Sequence, residues 1–168
     1  MIAATLTEQP GILKSAALLP PRLSLGSTML FHGYSKLTKE GVQQHSPMFE
    51  QMGFKPGRPW VVALGLTEVV SGVSAILGVA TRLTALAVLV TQAVAIGKVH
   101  ASKGFSNQEG GYEFNLALVG TALTLLLRGP GSLSVHSVLE SRVKRRELRR
   151  FKLLPRQRKS SRLLDLLG

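Results

Sequence analysis

Eight side chains in this 168-residue sequence can bind a ligand or exchange protons from within apolar surroundings: Arg22, His32, Lys36, Glu68, Gln92, His100, Glu113 and Asn115. Glu68 is the most telling. It sits inside WVVALGLTEVVSGVSAILGVA, residues 60–80, an apolar run long enough to cross a bilayer. A charged side chain at the centre of a membrane helix costs roughly 2.5–3.5 kcal/mol on insertion scales, so it calls for a partner or a function. Helical rise is about 1.5 Å per residue. With Phe31 as the outer end of a first span, Arg22 lies roughly 13 Å below it; with Trp60 as the outer end of a second, Glu68 lies roughly 12 Å below it. The two meet at one level, and a guanidinium offers a carboxylate a bidentate fork. The depths thus predict a buried Arg22–Glu68 pair, either a working site or a register-setting ion pair that does no chemistry.

A second group gathers at the outer end. His32 closes the first span, Lys36 follows within about a turn, His100 ends the third span, and Glu113 and Asn115 open the fourth. Glu113 at a helix N-terminus is also explained by the helix dipole. Gln92, midway in the third span, can both donate and accept, as a ligand contact or as interhelical glue. Two histidines and a glutamate are metal-ligand types, but no His-x-x-His spacing accompanies them, and no metal is expected. No residue is assigned a catalytic role.

Four apolar segments must position these groups: residues 15–31, 60–80, 83–99 and 113–127. Pro20 and Pro21 fit the start of the first helix. Lys55-Pro56-Gly57-Arg58-Pro59 breaks the chain before the second. Only Thr81 and Arg82 separate the second from the third, which requires a tight antiparallel hairpin. Gly129-Pro130-Gly131 stops the fourth. Gly65, Glu68 and Gly72 share one helix face, whose small residues admit a close neighbour and turn Glu68 inward. The connection 32–59 is long enough to carry short helices or a function. The fold expected is all-α: an integral membrane four-helix bundle over 15–136, preceded by a cytoplasmic N-terminus, 1–14, and followed by a basic cytoplasmic tail, 137–168, that can form an amphipathic helix.

Composition agrees. The formal net charge is +12, yet eleven of the 21 basic residues lie beyond Ser141. A basic tail beside a membrane segment orients the chain and attracts anionic lipid headgroups rather than nucleic acid. An even number of spans puts fifteen basic residues on the side of the termini and six on the other, so both termini are expected in the cytoplasm. The absence of cysteine excludes disulfides, thiolate metal sites and iron–sulfur clusters.

The polar residues lie in segments that resemble the DoxX family. Arg22 followed by Leu30-Phe31-His32-Gly33-Tyr34-Ser35-Lys36-Leu37 is similar to its opening signature, and Gly53-Phe54-Lys55-Pro56 to its Gly-Phe-Pro loop. Glu68 with the stretch through Gly78 resembles its second span, Thr81-Arg82 the turn after it, Gly111-Tyr112-Glu113-Phe114-Asn115 the opening of its last span, and residues 129–134 its closing motif. One departure is His136 near the place where the family commonly has an aspartate; another is the basic tail, which lies outside the common core. The resemblance implies a multi-pass bacterial inner-membrane protein associated with redox complexes, including quinone-linked oxidation of sulfur compounds, and with oxidative-stress defence.

Two functions follow as expectations. One is a redox-associated subunit holding a quinone between helices, with Arg22, His32, Lys36 or Gln92 donating to its carbonyls and Glu68 or Glu113 exchanging protons. The chain carries no signature of a resident cofactor, so electrons would come from a soluble oxidoreductase partner. The other is a non-catalytic scaffold or assembly factor whose tail recruits a soluble partner or anionic lipid. A small transporter fits less well, since four spans leave little room for alternating access without a homo-oligomer.

Overall fold

The structure is a computed structural model that describes residues 16–153, with side chains to Lys144. The expected segment 1–14 and the tail beyond residue 153 lie outside the described residues. Two compact units divide at Ser137–Val138. Every element among the described residues is helical.

Helix α1 spans Leu19–Leu37, with proline in its first turn, where no backbone N–H is needed. Thr38 then turns the chain: its hydroxyl accepts the N–H of Gly41 at 3.0 Å and starts α2, Lys39–Gln51. The connection 32–59 is therefore largely helical, holding the end of α1 and all of α2. Helix α3, Gly57–Leu77, begins where the Glu50 carboxylate accepts the N–H of Gly57 at 3.0 Å. It ends at Gly78 in the left-handed conformation, φ 67°, a glycine C-cap. Ala80, φ 47°, completes the tight turn into α4, Thr81–Ala95. A single π-helical turn, Ile96–His100, and a short 3₁₀ turn extend α4 to Lys103. Helix α5 spans Glu113–Arg128, and Gly129, φ 76°, stops it. Helix α6, Val135–Leu153, runs from the end of the first unit into the second.

Two contact zones hold the first unit together. Leu25 and Met29 of α1 meet Ala85 and Val88 of α4 and Leu118, Ala122 and Leu125 of α5 in a buried apolar cluster. On its other side α1 lies backbone-close to α3. A methyl placed on Gly33 would stand 2.7 Å from the Gly65 carbonyl oxygen, and one on Gly72 would stand 2.7 Å from that of Gly26. Two glycines seven residues apart on each helix thus face each other antiparallel, the close approach that small residues permit.

Helix α3 and the stretch Thr81–Lys103 are each long and apolar enough to cross a membrane, with mean hydropathies of 1.8 and 1.5. Only 33% and 22% of their most apolar windows are buried inside the molecule. Leu66, Val70, Leu83 and Val90 instead point outward, the surface a helix presents to lipid.

Candidate ligand cavity

The antiparallel register of α1 and α3 decides which charges meet. It places Glu68 beside Gly33 and Lys36, and Arg22 beside Gly78. The expected Arg22–Glu68 pair is therefore absent. Helix α1 continues six residues past Phe31, which displaces its outer end by about 9 Å at helical rise and removes Arg22 from the level of Glu68.

Each charge has found other partners. Lys36 Nζ donates to both Glu68 oxygens, at 2.8 and 3.1 Å, and lies 3.3 Å from the His32 carbonyl. The two side chains are 13% and 6% exposed, so this is a buried ion pair held by direct hydrogen bonds, the form in which an intramembrane charge is tolerable. Arg22, 2% exposed, is wholly enclosed by backbone oxygens. Its Nε donates to Ala75 O at 2.9 Å, Nη2 to Ile76 O at 2.5 Å, and Nη1 to Pro130 O at 2.9 Å and Leu133 O at 2.5 Å. It bonds carbonyls in the last turn of α3, of which Ala75 O also accepts the Gly78 N–H, and ties them to the turn after α5.

Around the Lys36–Glu68 pair lies a cavity of about 660 Å³. Of the eight residues singled out from sequence, His32, Lys36, Glu68, Gln92, His100 and Asn115 line it, while Arg22 and Glu113 do not. Glu113 instead accepts the backbone N–H of Asn107 at 3.1 Å and shapes the loop before α5. Asn115 Nδ2 donates to Gln92 Oε1 at 2.8 Å, joining α5 to α4 inside the wall. His100, carried by the π-helical turn, hydrogen-bonds the Gly110 carbonyl through Nδ1 at 2.6 Å. The His32 ring packs against Phe114, centroids 5.8 Å apart.

The remaining wall comes from α2, α3 and the stretch Val90 to Val99 of α4 and its π-helical turn. His45, Met48 and Phe49 of α2 line the cavity, as do Phe54 and Trp60, whose rings pack with centroids 5.2 Å apart at a tilt of 53°. Sequence reasoning passed over His45, Met48 and Phe49 because it treated 32–59 as a connection; Phe54 entered only in a loop motif and Trp60 only as the end of a span. The signal was present: Gly41, His45, Met48 and Phe49 recur at helical spacing. Among the described residues, no group of three or more His, Asp or Glu is placed to hold a metal ion.

The arrangement is a pocket with mainly apolar walls and a few convergent polar groups, suited to a lipophilic molecule with polar oxygens. Comparison with known proteins adds a family. A protein of Haemophilus influenzae described only as uncharacterized is 35% identical over 81 residues, 48% of this chain and 53% of that protein. The chain thus spans about half the length of the curated relative it matches. No solved structure matches the chain. The profile of the DoxX family matches residues 17–101, just over half the sequence and the part that holds α1 to α4. The chain belongs to the DoxX family of membrane proteins.

Proposed function

We propose that this chain crosses a bacterial inner membrane four times, through α1, α3, α4 and α5, with both termini in the cytoplasm, and that its cavity holds a quinone-type ligand for a membrane redox complex. The observation that carries the reading is the cavity itself. Its volume, about 660 Å³, falls within the roughly 300–1,000 Å³ of small-molecule sites. Aromatic and methionine side chains wall it, and a buried ion pair, three histidines and an amide pair converge on it. The chain alone supplies no electron carrier, so a soluble oxidoreductase would deliver electrons, and α6 with the basic tail is its docking element.

Mass spectrometry of the protein purified in native lipid nanodiscs tests this. A quinone retained in stoichiometric amount, and lost when Ala95→Phe fills the cavity without altering the helical spectrum, supports the reading. Bulk phospholipid alone overturns it. One observation favours a second reading, a scaffold without a ligand. The N–H groups of Lys36 are all directed at protein acceptors, as a purely structural pair requires. In that case the tail recruits a soluble partner or anionic lipid, and cavity-filling leaves the function intact.

A further inference from the structure

Hydrogen positions around the cavity follow from what each donor touches. A carbonyl oxygen only accepts, so a ring nitrogen bonded to one must carry the hydrogen. His45 Nδ1 lies 2.7 Å from Gly41 O and His100 Nδ1 lies 2.6 Å from Gly110 O. In the neutral imidazole this leaves Nε2 as a bare acceptor on both residues. Thr67 donates its hydroxyl to Ala63 O at 2.8 Å, and Thr91 donates to Val88 O at 2.9 Å. Each keeps lone pairs and has no hydrogen left to give. Lys36 directs its ammonium at Glu68 and the His32 carbonyl, while the Glu68 carboxylate retains lone pairs beyond those Lys36 uses.

All of these side chains line the same cavity. His32, Asn107 and the Gln92–Asn115 pair each offer one donor and one acceptor or more, whichever way the amides are turned. Trp60 adds an indole N–H. Side chains left with acceptors alone therefore number five, against one, the Trp60 indole, that has a donor alone. A ligand bearing only carbonyl oxygens can use the amide, imidazole and indole N–H groups but leaves those five acceptors unfilled, whereas hydroxyls would fill them.

We propose that the cavity selects the hydroxyl-bearing, reduced form of its lipophilic ligand, a hydroquinone or similar aromatic diol, over the carbonyl-bearing oxidised form. The inference rests on the cavity being a ligand site, and deepens that reading by fixing the polarity of the ligand's oxygens.

Three ligands of one shape separate the possibilities: decyl-benzoquinone, decyl-hydroquinone and the dimethyl ether of decyl-hydroquinone. Their binding to the full chain in nanodiscs is measured by calorimetry without oxygen. Decyl-hydroquinone should bind about tenfold more tightly than either of the others, the order expected for one or two net hydrogen bonds. In the double variant His45→Phe/His100→Phe the preference should fall to about threefold or less on the same basis, while the ether binds as before and so reports an intact cavity. Quinone binding as tightly as hydroquinone overturns the proposal and leaves the cavity a site. So does a preference that survives in the double variant. Binding of none of the three overturns the site reading itself, and this inference with it.

Discussion

Lys36 and Glu68 bring opposite charges into a region with little water, and each is tolerable only because the other is there. Removing one should cost far more than removing both. Glu68→Leu alone strands an ammonium and should lower stability by about 3–5 kcal/mol, while Lys36→Met/Glu68→Leu should recover most of that loss. Thermal unfolding of the single and double variants in one detergent checks it. Arg22 obeys a different rule, since its partners are carbonyls fixed in the backbone. Arg22→Lys keeps the charge but cannot reach four oxygens on two segments, and at least one charged hydrogen bond of about 1.5–3 kcal/mol should be lost. Exchanging Arg22 and Glu68 should rescue nothing, and recovery of either single loss in the same unfolding assay would restore the pairing read from depth. The sequence made both buried charges visible, because a charge in an apolar run is conspicuous. It did not show their partners, because pairing depends on where helices end, and His32 to Leu37 reads equally well as a polar cap or as more helix.

Segment ends were legible where the chain chemistry is decisive. The prolines of α1 and the break at Gly129 stand where proline and glycine demand them, while the turn into α4 falls at Gly78–Ala80, ahead of the Thr81-Arg82 expected, because Gly78 caps α3. Helix α2 was legible only as a connection long enough for a short helix: Gly41, His45, Met48 and Phe49 recur at helical spacing, but its apolar positions are few and Pro47 argues against a helix. The inward face of α3 was readable from Gly65, Glu68 and Gly72, but the matching glycines of α1 become meaningful only once the two helices are laid antiparallel. That seam makes a prediction with opposite signs. Gly33→Ala or Gly72→Ala drives a methyl against a backbone oxygen and should cost about 1–3 kcal/mol. Gly120→Ala meets nothing within 4 Å and should be neutral, or stabilising by up to about 1 kcal/mol through helix propensity. Hydrogen exchange at the α1–α3 amides should quicken in the first two variants and stay unchanged in the third.

For the whole molecule the open quantity is which end faces which side of the membrane. The chain has no cysteine, so single introduced cysteines report it cleanly. Ser106→Cys should react with a membrane-impermeant maleimide in intact spheroplasts, and Ser141→Cys only after permeabilisation; the reverse pattern would invert the proposed orientation. The broad picture, apolar helices with charge crowded into the tail, is a property of composition and so needs no coordinates. The cavity is a property of assembly, made by residues from Met29 to Leu118 that share no local pattern. Arg22 has a consequence in time as well as in space. Its first two acceptors, Ala75 and Ile76, are made about fifty residues after it, and the other two, Pro130 and Leu133, more than a hundred residues after it. Until translation has passed Leu133, a growing chain therefore lacks at least one of the four acceptors that hold this guanidinium in the folded protein.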